Sequence, residues 1–393
     1  MVKPIGLHVH SGRANGQVED YIRSVKPSVM KWLADGVEPR LVDLAKVYGA
    51  LTILRVYEPN QALGNPQEKD FLALVESAIQ RYPQFDAHEG YNEAFQRLPE
   101  VRRRAEFDIA LMELCERHGK RAVIGSFSVG QPQWPQTGQP DDWAGYLPAL
   151  QRASAKGHYV GLHEYGAPAM QWGVGANQAA NLVNGQWINI DPVTRPGVQG
   201  WFVLRYRRVL AHWRELGLDP LPRIVITESG IDDIQPRPNV GTRRGYKTYR
   251  DTPWWRHPIL GDYADQLGWV CDRWAEDPEV VGGVDFGFAD ISGDWDDFDL
   301  STDAETLARV KGVMRDLEEP VPVDPSPPVT PGQPAPINQA ALKARYRPRI
   351  IGAGETLWQI AGSQWRDVLI ARPMGDPGSI PAGTILMVPE SED

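Results

Sequence analysis

Short apolar runs alternate with longer stretches of helical periodicity from residue 4 to about residue 317. The runs are Ile5 to His10, Ser28 to Leu33, Leu51 to Tyr57, Asp86 to Glu93, Arg121 to Val129, Tyr159 to Gly166, Arg223 to Gly230 and Val281 to Ala289. Between and after them, apolar residues recur at three- and four-residue spacing. This predicts helices from before Tyr21 to Val25 and over Arg40 to Tyr48, Glu68 to Tyr82, Glu100 to His118, Trp143 to Ala155, Gly200 to Leu216, Tyr263 to Ala275 and Ala304 to Leu317. Strands that are apolar throughout and separated by helices belong to a parallel sheet covered on both faces. Eight such units predict a closed (β/α)₈ TIM barrel. The rival, a doubly wound open sheet, carries a glycine-rich phosphate turn after its first strand. The segment there, Ser11-Gly12-Arg13-Ala14-Asn15-Gly16, does not fit that turn.

The pattern stops after Glu318. A proline-rich run, Glu-Glu-Pro-Val-Pro-Val-Asp-Pro-Ser-Pro-Pro-Val-Thr-Pro-Gly-Gln-Pro-Ala-Pro, reads as an extended, semi-rigid spacer. A folded-looking segment follows. The expected organisation is therefore a barrel over 1–317, a linker over 318–340 and a small α+β domain over 341–393.

Composition narrows the function classes. The chain has 393 residues, is 42% hydrophobic and has a formal net charge of −10, so the basic stripe of a nucleic-acid binder is not expected. The one basic run, Arg102-Arg103-Arg104, is expected on a solvated helix face. Cys115 and Cys271, far apart in helical patterns, suggest two half-buried thiols rather than a disulfide or metal knuckle. The chain opens with no apolar stretch of signal-peptide length, and no uncharged apolar segment is long enough to span a bilayer. A soluble protein without a membrane partner is expected. Its location stays open between the cytoplasm, release by phage and export with a leader removed.

The strand ends carry the candidate chemistry, because a barrel of this kind builds its site at their C-terminal side. Glu93 closes the fourth run and Glu228 lies in the last positions of the seventh. Two facing carboxylates are the minimum equipment for cleaving a glycosidic bond. Glu89 shares the parity of Glu93 and competes for the acid role. Alternation on the sixth run puts His163 and Tyr165 on one face and Glu164 on the other, toward the barrel wall. Tyr165 by hydrogen bonding and Arg55 by charge would keep Glu228 ionised. Asn92 is placed to bond a sugar hydroxyl.

This set resembles the clan A retaining glycoside hydrolases: Asn92-Glu93 ending strand four, His163 and Tyr165 on strand six, and Glu228 ending strand seven. The resemblance implies Glu93 as acid/base, Glu228 as nucleophile, and Asn92, His163, Tyr165 and Arg55 as their supporting shell. It also implies an aromatic sugar platform at strand eight, where Phe286, Phe288 and Trp295 are the candidates. The chemistry needs no cofactor.

His8 and His10 share one face of the first strand, and sugar or carboxylate contacts are expected of them ahead of zinc, since no third ligand follows by spacing. Of the 14 tryptophans, Trp134, Trp143, Trp172, Trp187, Trp254, Trp255 and Trp295 fall in or beside strand-to-helix loops, which favours a carbohydrate cleft. Gly354-Glu355-Thr356-Leu357-Trp358-Gln359-Ile360-Ala361 and Ile380 to Pro389 resemble the opening and close of a lysin-motif (LysM) domain. That resemblance implies a strand–helix–helix–strand module and a peptidoglycan- or chitin-type partner. The leading expectation is a retaining β-glycosidase on a poly- or oligosaccharide. A phage-type peptidoglycan lysin and a non-catalytic wall-glycan binder are the alternatives.

Overall fold

A computed structural model describes residues 4–58, 68–133, 140–167, 169–170, 182–183, 186–187, 202–232, 244–250, 261–318, 346–350, 369–370 and 385–389. The chain divides into two units, Met1–Glu319 and Pro320–Asp393.

The first unit is a closed parallel barrel of eight strands: β1 (Gly6–Val9), β2 (Val29–Leu33), β3 (Leu51–Arg55), β4 (Ala87–Glu89), β5 (Arg121–Phe127), β6 (Tyr159–Gly166), β7 (Arg223–Ile231) and β8 (Val280–Phe288). The helices are α1 (Asn15–Val25), α2 (Pro39–Val47), α3 (Glu68–Arg81), α4 (Glu100–Arg117), α5 (Asp142–Lys156), α6 (Arg205–Glu215), α7 (Tyr263–Glu276) and α8 (Ala304–Glu318). Local chemistry sets their ends. Asp141 accepts bonds from the Trp143 and Ala144 amides to start α5, which stops at Gly157 in the left-handed region. Asp262 and Asp265 form a capping box at α7.

Strand alternation makes two apolar layers. Met30, Trp32, Leu54, Ile224 and Ile226 face outward into the core between barrel and helices. Val29, Ile53, Ala87, Val123, Val225 and Val284 face inward and plug the barrel floor. Two residues further along, the same inward positions carry Lys31, Arg55, Glu89 and Phe286. The apolar plug is thus overlaid by a polar layer at the C-terminal mouth. Among the described residues, no helix is long and apolar enough to cross a membrane.

Two expectations need correcting. Arg102-Arg103-Arg104 is not one solvated face, because Arg104 is fully buried and hydrogen-bonded. Trp143 is not a cleft residue; it is buried at the start of α5 and packs edge-on against Phe127 and Trp213. Cys115 and Cys271 are free and fully buried.

In the second unit, Tyr346–Ile350 and Leu369–Ile370 each pair antiparallel with Ile385–Pro389. The first LysM-like segment, Gly354 to Ala361, and the span 380–384 of the second lie outside the described residues.

Candidate active site

The barrel mouth gathers residues from seven strands or their ends. Glu228 is at its centre. Outward-facing Ile226 and inward-facing Val225 set the alternation on β7, and simple alternation would send Glu228 out among the helices. The pairing of β6 with β7 runs Leu162↔Ile226 and then His163↔Glu228, so Thr227 is the extra residue of a bulge. The bulge turns Glu228 into the mouth.

Five groups surround its carboxylate, the farthest being His8 Nδ1 at 3.8 Å from Oε1. Arg55 Nη1 donates to Oε1 at 3.1 Å, and the Tyr165 hydroxyl donates to Oε2 at 3.0 Å. Lys31 Nζ lies 3.5 Å from Oε1 and His163 Nδ1 lies 3.4 Å from Oε2. Burial by itself would raise the Glu228 pKa. The charges of His163, Lys31 and Arg55, with the Tyr165 hydrogen bond, outweigh it and hold the group well below the ordinary carboxylate range. Glu228 is an ionised carboxylate in a nearly water-free place.

Glu93 approaches from the opposite side. It is not at the end of a strand as expected: β4 stops at Glu89, and Glu93 stands four residues later in a loop, in the left-handed region at φ 53°. Its Oε1 is 2.7 Å from His163 Nδ1, and it is about a third exposed where Glu228 is almost fully buried. One ring nitrogen of His163 therefore stands between the two carboxylates. The nearest ligating atoms of Glu93, His163 and Glu228 all lie within 4.8 Å of one another.

Glu89 takes a different place from Glu93. It is fully buried, 2.7 Å from Lys31 Nζ, and accepts the Ser126 hydroxyl at 2.5 Å. Burial raises its pKa, but Lys31 and Arg55 overcome that and leave it lowered. It is a counter-ion beneath the mouth. Lys31 went unnoticed in the sequence. The available signal was a lone charge in the middle of an apolar strand, Val-Met-Lys-Trp-Leu.

The remaining expected residues divide. His8 and His10 stand edge to face, with ring centroids 4.6 Å apart, and both rings also contact Phe286. Burial, then the charges of Lys31, His10 and Arg55, keep His8 well below the ordinary imidazole pKa, so it is neutral. His10 Nδ1 is 3.8 Å from Asp290 Oδ1. Asp290 also accepts the backbone amides of Ser292, Gly293 and Trp295, which fixes the loop carrying Trp295. Trp295 is half-buried and stands edge-on to Phe286 at 4.7 Å. Phe286, Tyr165 and Phe298 form a small apolar cluster beside it. Phe288 does not join them. Its ring is buried in the core between barrel and helices, so Phe286 holds the place expected of it. Asn92 is half-buried beside Glu93. Trp134, Trp172 and Trp254 lie outside the described residues. Glu164 points away from the mouth, as its parity predicts, and accepts the Leu204 and Tyr206 amides at the start of α6.

No protein-family model and no curated protein sequence matches the chain. Solved structures that are similar include a GH2 β-galacturonidase from Eisenbergiella tayi bound to galacturonate, at 12% identity and a TM-score of 0.45, covering 80% of this chain and 51% of that one. A β-glucuronidase from Faecalibacterium prausnitzii is 11% identical at a TM-score of 0.45, over 80% and 49% of the two chains. A hyperthermostable endo-1,4-β-D-mannanase from Thermotoga petrophila RKU-1 is 13% identical at a TM-score of 0.41, over 80% and 99%. The chain spans about half the length of the galacturonidase and of the glucuronidase.

Proposed function

We propose that the protein is an enzyme acting on glycosides, a retaining β-glycoside hydrolase of the clan A type. The observation that carries the reading is the pairing of an ionised, buried Glu228 with Glu93, with one carboxylate oxygen of each no more than 4.8 Å apart. Retaining enzymes hold their two carboxyl groups about 5–5.5 Å apart, whereas inverting ones leave about 6.5–9.5 Å for a water.

In this reading Glu228 attacks the anomeric carbon. Glu93, nearer solvent, gives a proton to the departing glycosidic oxygen. A glycosyl ester forms on Glu228. Glu93, now a carboxylate, takes a proton from the water that opens the ester, so the anomeric configuration is retained. Tyr165, Arg55 and Lys31 hold Glu228 in its charged form. Phe286 and Trp295 offer apolar surface to a sugar ring. The Glu93–His163–Glu228 trio also has the donors to hold a dication, but Arg55 and Lys31 already supply positive charge to Glu228. That disfavours a further cation there.

The test is hydrolysis of a panel of aryl β-glycosides by the wild type and by Glu228→Ala. Loss of turnover in a folded variant supports the reading, and unchanged turnover sinks it. NMR of the first-formed anomer tests retention separately.

For the C-terminal unit we propose a glycan-binding role, on the two LysM-like segments alone. Co-sedimentation of the full chain with insoluble peptidoglycan and chitin tests it, and absence from both pellets removes it. Clearing of cell-wall suspensions would favour the lysin alternative over a storage- or plant-glucan enzyme.

A further inference from the structure

Glu93 occupies a backbone conformation that costs a non-glycine residue energy, so something must hold it there. Arg104, one turn into α4, supplies the hold. Its guanidinium is fully buried. Nη2 donates to the carbonyl of Tyr91 at 2.8 Å and Nη1 to that of Ala94 at 3.0 Å, which grip the chain on both sides of Glu93. Nη2 also reaches the carbonyl of Gly125 at 2.5 Å, in the bulged part of β5. From the next residue, the carbonyl of Ser126 accepts the Glu93 amide itself at 3.0 Å. Gly125 has φ 85°, and a Cβ there would press on the Phe127 ring, so the carbonyl is presented by a backbone that only glycine takes easily. Asp108 locks the fork from behind. It accepts Arg104 Nε at 2.8 Å, the Gly125 amide at 3.2 Å and the Tyr146 hydroxyl.

We propose that Arg104 is a positioning residue for Glu93. It ties the loop after β4 to the β5 bulge, so that the Glu93 carboxyl meets His163 and faces Glu228. The proposal rests on the acid/base reading of Glu93. Arg104 touches neither of the two carboxylates in any contact described above and acts through the backbone. A fork of five donors can serve three carbonyls and a carboxylate together, whereas a lysine presents three donors from one point.

The experiment compares Arg104→Lys with Glu93→Ala in the full chain, on aryl β-glycosides whose phenols range from phenol to dinitrophenol. General-acid help is worth most when the leaving group is poor. Arg104→Lys is expected to lower kcat/KM by about a hundredfold on the phenyl glycoside and little on the dinitrophenyl one, the order that Glu93→Ala follows. A uniform loss across the series, with Glu93→Ala sorting the substrates, overturns the role of Arg104. If Glu93→Ala itself fails to sort them, the acid/base reading falls and the proposal with it. Crystal structures give a readout independent of turnover. Arg104→Lys, or the milder Tyr146→Phe should the lysine variant not fold, is expected to show Glu93 out of its left-handed conformation and the contact to His163 lengthened. Unchanged Glu93 geometry overturns the proposal.

Discussion

The Lys31 ammonium lies 3.5 Å from Glu228 Oε1, although the two residues sit on strands 197 positions apart in sequence. The same ammonium is 2.7 Å from Glu89 and donates to the Thr227 carbonyl at 3.2 Å, in the bulge that aims Glu228. One cation thus balances two buried carboxylates and steadies the backbone beneath one of them.

Replacing Lys31 by Met should therefore act in two ways. Leaving Glu89 and Glu228 short of a cation should destabilise the fold by about 3–5 kcal/mol, as breaking a buried ion pair generally does. Lys31 lowers the Glu228 pKa, so its loss raises that pKa. The nucleophile must be ionised, so the acidic limb of the pH–rate profile should move to higher pH. Adding Glu89→Gln should recover much of the stability and leave the limb displaced. A limb that stays in place in the single variant refutes the electrostatic role.

Tyr165 donates to Glu228 Oε2 from a phenol whose own ionisation is pushed far up, by burial first and by Glu228 second, so it remains a donor throughout the working range. Removing a hydrogen bond to a charged group costs about 1.5–3 kcal/mol, or about ten- to a hundredfold in rate if the bond strengthens toward the transition state. Tyr165→Phe should show that loss in kcat together with a melting temperature lowered by only a few degrees. Wild-type kcat in the variant would mean that the hydroxyl only fills space.

Trp295 should contribute to binding rather than to the chemical step. Its ring stands against Phe286 and its loop is fixed by Asp290. Aromatic contacts of this kind are worth about 0.5–1.5 kcal/mol, so Trp295→Ala should raise KM about three- to tenfold and leave kcat near the wild-type value. An equal fall in kcat with KM constant would assign it to the transition state instead.

The barrel was legible because its signal is periodic and repeated eight times. Tyr159–Gly166 follows from an apolar run between two helical stretches, and its parity correctly separates His163 and Tyr165 from Glu164. The geometry of the carboxylates was not legible. Alternation alone turns Glu228 outward, and only the bulge at Thr227 reverses it. Glu93 is four residues beyond β4, held by carbonyl contacts to an arginine whose sequence neighbourhood reads as a basic surface. Bulges and left-handed residues depend on partners distant in the chain, so they leave no local periodicity to read. Phe286 and Phe288 show the same limit: Gly287, at φ 91°, breaks the alternation between them.

Buried acids outside the mouth make the fold's stability depend on pH in a direction that can be worked out. Asp285 is pushed up to about 8 by burial, with the Tyr263 hydrogen bond pulling the other way and Asp299 adding to the rise. Glu164 is pushed up to about 7 by burial, against the opposing amides of Tyr206 and Leu204. Unfolded, both release their protons near pH 4. At these two groups the folded chain therefore binds more protons than the unfolded one between about pH 4 and pH 8, and the stability they contribute falls across that window, by at most about 1.4 kcal/mol per pH unit for each group. Glu228, Glu89 and Asp290 have lowered values, so the stability they contribute is present above about pH 4 and is lost on further acidification. The two trends cross on the acid side of neutrality. Buried His8, His88 and His158 are held below the ordinary imidazole value, which adds stability as the pH rises to about 6.5, so the melting temperature should peak near pH 6.5 and decline toward pH 8. Asp285→Asn keeps a hydrogen-bonding group of the same shape but has no proton to retain, so it should flatten the decline, most visibly between pH 7 and about pH 8 where Asp285 is the last of the two to ionise. Calorimetric melts across this range decide the matter, and a wild-type melting temperature that climbs steadily from about pH 6.5 to pH 8 would show that these acids are not neutral in the fold.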